Sequence, residues 1–462
     1  MRAVRRDRSG LSRGRACVSA LLCLAAAACG DSGPTTRPAP TPAPGRWLGA
    51  QVIDGAPPTN PSCNGAVTPV AGMDASGRTV ATWLSDCLIA VAGTSQGQPW
   101  GPPSPLGSLP PGAPSNWLWE PGLAVNRAGV ALVVWATQES AAEGRQLFSR
   151  RLDPVAGWTG AERIDAGEAR RASTAYAPSL ALDDGGNGLV VWDSEGIVAA
   201  RLSAARGWLA PERIAGSPSS VPKVFLGGTG GGFAIWTLRG EAYARRFEPA
   251  GGWGETTRFT AEAGWSFTGW GEAAFDAAGQ ALLVWPQTQS SIGPGRVWSA
   301  AYAAGRWSTI GAVSAGGGNA VNPHIGIDGT GAGTAVWNEA QTGIVSARWE
   351  RGAWGALRLV VSAPSAGPAR LAVSAGGSAM VAWNETEAST GRGRLWAARY
   401  AAGVWGSREA LQASGNQPGD PMVAADPCGN AVATWAEHEA GQKRVWSNRY
   451  ETACSGGGAA SR

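Results

Sequence analysis

The sequence predicts an all-β chain of eight four-stranded antiparallel repeats closed into a ring. Three observations predict it. Eight tryptophans that each close an apolar run recur about 50 residues apart: Trp83, Trp135, Trp192, Trp236, Trp285, Trp337, Trp383 and Trp435. Six residues before every one stands a glycine (Gly77, Gly129, Gly186, Gly230, Gly279, Gly331, Gly377 and Gly429). A third motif, Gly-Trp or Gly-x-Trp, marks the end of six repeats, with Trp100 in its place in the first, is missing after the eighth, and reappears at Gly45-Arg46-Trp47. A period near 50 residues with four strands per unit is the spacing of propeller blades. The expected fold is therefore an eight-bladed β-propeller whose N-terminal strand closes the last blade.

Each strand follows from local chemistry. Fourteen residues before the tryptophan stands Pro69, Pro121, Pro178, Pro222, Pro323 or Pro421. Its missing N–H is harmless at the start of a strand. Nine residues before comes Asp74, Asp183, Asp276, Asp328, Asp426 or Asn126. Such a side chain starts a tight turn, and the glycine three residues on supplies positive φ. The second strand then alternates small and large residues, as in Gly333-Thr334-Ala335-Val336-Trp337. The third strand ends in patterns such as Ala398-Arg399-Tyr400, and the fourth carries Trp158, Trp208, Trp253, Trp307, Trp354 or Trp405, with Trp100 in the first repeat. Residues 46–54 supply the strand that the eighth repeat lacks, which leaves no open edge.

Outside the ring the composition changes. Residues 1–28 hold six arginines against the single acid Asp7, so the net charge of +4 for the whole chain leaves about −1 for the rest. That balance gives no basic footprint for nucleic acid. The arginines precede an apolar stretch from Cys17 to Ala28, too short to span a bilayer, as in an export signal. Residues 29–45 are Pro- and Thr-rich and form a semi-rigid tether. The expected order is signal 1–28, tether 29–45, propeller 46–454 and a disordered tail 455–462.

Leu24-Ala25-Ala26-Ala27-Ala28-Cys29-Gly30 resembles the lipobox of bacterial lipoproteins, although Ala26 stands where that family prefers Leu. The resemblance implies acylation of Cys29, an N-terminal lipid anchor in a membrane, and an exported chain in the cell envelope, on the outer membrane or in the periplasm. Of the remaining cysteines, Cys63 and Cys87 lie in the first repeat and Cys428 and Cys454 in the last. An exported chain can oxidise them. Strand order brings Cys63 and Cys87 to one end of a blade, and likewise Cys428 and Cys454, so those two disulfides are expected.

The Asp-x-x-Gly turns distantly resemble the Asp boxes of BNR and sialidase-like propellers, whose pattern is Ser-x-Asp-x-Gly-x-Thr-Trp. Here the glycine is three residues after the Asp rather than two, and the Trp is six beyond it. The resemblance implies architecture, because those boxes are structural in that family. Arginines recur before the third-strand aromatic (Arg201, Arg246, Arg348, Arg399, Arg449), and their regularity predicts packing stems and blade-to-blade hydrogen bonds.

No catalytic set assembles. Gly93-Thr94-Ser95-Gln96-Gly97 matches G-x-S-x-G but sits in a loop after a third strand, without the strand–turn–helix context a nucleophile elbow needs. The glycine runs 227–232 and 329–333 are hairpin turns with no helix behind them. Of the two histidines, His324 opens a first strand and is expected to be packed, while His438 lies in a polar loop. No metal site and no cofactor is expected.

Variation concentrates between second and third strands. These connections are long and polar in the second, fifth, seventh and eighth repeats, and all project from one face. That rim carries the expected ligand-binding residues Glu139, Arg145, Gln287, Glu339, Glu385, Arg392, Arg394, Glu437, His438 and Lys443, with Gln289 beside them. Two functions compete. One is a monomeric, non-catalytic surface module for a glycan, a peptide or an envelope partner. The alternative is a sialidase-like glycoside hydrolase or lyase, with Glu339, Glu385 and Glu437 converging near the central channel.

Overall fold

A computed structural model describes residues 45–55, 69–85, 87–108, 118–119, 121–138, 145–166, 178–216, 222–269, 271–289, 293–314, 318–387, 389–412, 416–439 and 442–453. Eight antiparallel sheets form an eight-bladed propeller. The inner strands are Val70–Met73, Gly122–Val125, Ser179–Leu182, Lys223–Leu226, Glu272–Phe275, Ala320–Ile327, Arg370–Val373 and Met422–Ala425, and they number the blades one to eight. In most blades the outer strand is broken, as in Gly157–Trp158 and Glu162–Arg163, and both pieces pair with the same third strand.

The predicted seam is present. Arg46–Trp47 and Gln51–Val52 both pair with Gln442–Glu451, with Trp47 opposite Tyr450. The Trp47 and Tyr450 rings meet edge-on at 5.5 Å. Arg444 clamps the seam from Nε and Nη2 to the Asp54 carboxylate at 2.8–3.1 Å, and the same carboxylate accepts Val445 N–H at 2.9 Å.

The eight repeat tryptophans are all buried, and each anchors a core layer between neighbouring blades. Four residues before each tryptophan the second strand carries Ala, Gly or Thr, whereas the third-strand residue opposite the tryptophan is often aromatic, as in Trp135 with Phe148 and Trp285 with Trp298. At the other end of every blade the repeat glycine takes φ between +78° and +87°, a region that L residues rarely adopt. The Asp or Asn beside it caps the turn: Asp74 Oδ1 accepts Ser76 N–H, Ser76 Oγ–H and Arg78 N–H at 2.7–2.9 Å. Turn joins turn around the ring, for example Asp184 N–H to Gly228 O and Gly376 N–H to Pro427 O, both 3.1 Å.

The recurrent arginines do the predicted packing. Arg348 donates to Asp328 Oδ2 and Thr334 Oγ1 within its blade and lies over Tyr400 of the next. Arg399 lies over Tyr450, and Arg449 donates to Ser95 O and Gln98 O. Pro323 stands at a register shift in its strand, next to Asn322 at φ 52°, where a bulge frees it from the ladder. Cys87 occupies a second-to-third-strand turn and Cys428 a first-to-second-strand turn, at opposite ends of their blades. Neither is a free thiol. Cys29, Cys63 and Cys454 lie outside the described residues.

Candidate functional site: the mouth of the central channel

Inner strands line a central cavity of about 1060 Å³. Its polar character comes from one column of the repeat, the position thirteen residues before each tryptophan. Around the ring this position reads Val70, Gly122, Ser179, Lys223, Glu272, His324, Arg370 and Met422. Four successive blades carry ionisable groups and the other four carry apolar or small ones. All of these residues except His324 start their strands, opposite the far end of the second strand, as in Lys223 with Ile235 and Arg370 with Ala382; His324 lies inside Ala320–Ile327, opposite Val336. They therefore lie at the channel end where second-to-third-strand connections emerge.

The four groups form a continuous arc. Lys223 Nζ lies 2.5 Å from Glu272 Oε1, His324 Nδ1 is 3.7 Å from the same oxygen, and Arg370 Nη1 is 3.0 Å from His324 Nε2. Arginine can only donate, so His324 Nε2 accepts and the ring proton sits on Nδ1, facing Glu272. Burial drives the His324 pKa down to about 4; Glu272 opposes this, while Arg370 and Lys223 add to it. The imidazole is neutral at pH 7. Burial acts to raise the Glu272 carboxyl, but Lys223, His324 and Arg370 together outweigh it and hold it below its ordinary value. The arc thus carries two cations and one carboxylate. Across the cavity, Leu118, Trp119, Leu180, Met422 and Val423 supply an apolar wall.

Sequence reasoning expected His324 to be packed; its side chain is mostly buried, and it also belongs to this arc, because its column lines the central cavity. Lys223, Glu272 and Arg370 were missed. The available signal was a run of charge down one register position that is apolar or small in the other blades.

The predicted rim residues divide. Arg145 reaches the cavity wall, its guanidinium 3.9 Å from the Trp119 ring centroid. Glu339, Glu385 and Glu437 do not line the cavity. Glu339 accepts Trp337 Nε1–H at 3.0 Å, Glu437 accepts Trp435 Nε1–H at 2.9 Å, and Glu385 pairs with Arg408 at 2.5 Å. Gln287 is fully buried, so it cannot meet a ligand from the rim. Arg392, Arg394, His438 and Lys443 are exposed on the loop face or its strand ends, and Glu139 falls outside the described residues. Among the described residues no cluster of three His, Cys, Asp or Glu could hold a metal, and no helix is long and apolar enough to cross a membrane.

No family model matches the chain, and no curated protein matches it. Solved structures do resemble it. A protein of unknown function from Dyadobacter fermentans is 12% identical with a TM-score of 0.45, over 88% of this chain and 99% of that one. An ulvan lyase, a polysaccharide lyase solved with -[GlcA(1-4)Rha3S]-, is 11% identical with a TM-score of 0.49, over 87% and 95%. A leech intramolecular trans-sialidase is 11% identical with a TM-score of 0.36, over 87% and 70%. The resemblance drawn from the turns therefore stays one of architecture. At this distance it carries no argument about chemistry.

Proposed function

We propose that the chain is an exported, non-catalytic binding protein of the cell envelope, and that it takes a glycan, a peptide or an envelope partner at the channel mouth and the loops around it. The observation that carries this reading is the column that breaks the repeat, with Lys223, Glu272, His324 and Arg370 facing an apolar wall in one cavity. Ligand sites combine a mostly apolar concavity with a few convergent polar groups.

The groups are arranged for holding rather than for chemistry. The one lone pair His324 could offer as a base is taken by Arg370, and Glu272 is neutralised by Lys223. Glu339, Glu385 and Glu437 each bond to a partner beside them and do not line the cavity, which gives the glycosidase or lyase alternative no support from these acids.

The test is a binding screen of the purified protein against glycans, peptides and envelope fractions. Binding weakened at least tenfold by Arg370→Gln and by Trp119→Ala supports the reading. Turnover of a glycoside or uronide abolished by Glu272→Gln overturns it. The proposal includes acylation of Cys29, a membrane anchor, and disulfides Cys63–Cys87 and Cys428–Cys454. Labelled fatty acid incorporated by the wild type and not by Cys29→Ser checks the anchor, and peptide mapping without reduction checks the bridges.

A further inference from the structure

A second site follows from a fault in the repeat, at the opposite face of the ring. In six blades the third-strand residue opposite the position three before the tryptophan is arginine: Arg151, Arg201, Arg246, Arg348, Arg399 and Arg449. Each reaches into the next blade. Arg151 donates to Ala204 O at 3.3 Å and Arg201 to Pro249 O at 3.1 Å. Arg246 lies 4.9 Å from the Tyr302 ring centroid, and Arg348, Arg399 and Arg449 make the contacts described above. Two blades lack the arginine and have Gly93 and Ala301 there.

The two gaps are treated differently. Beside Ala301 the next blade supplies Trp349, the largest side chain its column offers, and both pack in one core cluster. Beside Gly93 the next blade supplies only Leu152 in that column. Between these blades lies a cavity of about 450 Å³, lined by Gly93 and Leu152 together with Asp74, Thr79, Arg78 and Trp158.

Two polar groups of this cavity lack partners. Thr79 is 1% exposed and its hydroxyl has no hydrogen-bond partner. Asp74 Oδ1 is spent on its turn, while Oδ2 has neither hydrogen bond nor ion pair among the described residues. In the sixth blade the equivalent oxygen, Asp328 Oδ2, accepts Arg348 Nη2 at 3.1 Å. In the third and eighth blades it is met by Asn187 and Asn430. The nearby cations leave Asp74 alone: Arg78 is exposed, and Arg449 is held by Thr94, Ser95, Gln98 and Glu451.

We propose that the cavity between the first and second blades binds a guanidinium group carried by a ligand, in the place that the chain's own arginines fill at other junctions. Asp74 Oδ2 takes the charge, the Thr79 hydroxyl accepts an N–H, and Trp158 offers an aromatic ring to the cation. The group belongs either to an arginine side chain of a peptide or to a small guanidino compound.

The experiment is calorimetric titration of the whole protein with N-acetyl-arginine amide, agmatine and the neutral isostere N-acetyl-citrulline amide. A peptide source is indicated by tighter binding of the first, a small compound by tighter binding of the second. The citrulline probe is expected to bind at least tenfold more weakly than the better cation. Gly93→Arg restores the repeat's own guanidinium; it is expected to raise Tm and to weaken the cationic probe at least tenfold. Gly93 has ordinary φ, and an added Cβ meets nothing closer than 3.5 Å. Asp74→Asn keeps the Oδ1 cap, as Asn126 does in the second blade, and is also expected to weaken the probe at least tenfold. No binding, equal binding of citrulline, or undiminished binding by Asp74→Asn overturns the proposal.

Discussion

The two faces of the ring are built from the same strands and behave as opposites. On the turn face the same Asp or Asn, glycine and arginine columns recur in most blades, and their groups bond to each other or to the next blade. On the loop face the connections differ in length, and one column runs from Val70 through Lys223 and Arg370 to Met422. Repetition builds the scaffold; departure from it makes places where something else fits. The contrast predicts unequal responses to like substitutions.

The largest difference is expected for alanine at two glycines of positive φ. At Gly230, φ +87°, a Cβ would stand 2.7 Å from Asp183 Oδ2 and 3.0 Å from Pro249. At Gly391, φ +68°, it would meet nothing within 4 Å. Backbone strain alone costs about 1–2 kcal/mol, and overpacking adds about 1–3 kcal/mol. Denaturant unfolding should therefore show about 4 kcal/mol lost for Gly230→Ala and about 1 kcal/mol for Gly391→Ala. Equal losses would erase the distinction between the faces.

Acid should act through the loop face. His324 titrates near 4 when folded and near 6.5 when unfolded, so between those values the unfolded chain binds the extra proton. Stability is full above the unfolded value and falls as pH drops from 6.5 towards 4, by on the order of 3 kcal/mol for 2.5 pH units. Glu272, held below its ordinary value, adds a loss of the same sign at lower pH. His324→Leu should flatten the upper part of this slope, which unfolding curves at stepped pH would reveal.

Smaller effects separate a built ion pair from a decorative one. Asp328→Ala removes the turn cap and one of the partners of Arg348, at a cost of about 2 kcal/mol. Arg408→Ala on the loop face removes an exposed pair with Glu385 and should cost under about 1 kcal/mol. Thermal unfolding of the two variants side by side checks the order.

Much of the scaffold was legible because its signals are local and repeated. Trp, Gly, Asp and Pro hold fixed offsets, and Trp47 gave the seam by the same ruler. The site was less legible because its members are about fifty residues apart and meet only across the axis. Lys223, Glu272, His324 and Arg370 look unrelated along the chain. The error over Glu339 and Glu437 has a simpler cause. Residues two apart in a strand share a face, so each acid lies beside the tryptophan it follows and bonds to that indole instead of crossing to the channel.

The seam has a topological consequence. Arg46 lies opposite Glu451 in adjacent antiparallel strands, so the folded domain is a circle that happens to be cut inside its eighth sector. A cut elsewhere, at Thr390–Gly391 for instance, with a short bridge joining the present ends, would leave every strand pairing intact. Where the chain starts around that circle is a matter of synthesis, while the circle itself is what the interactions select.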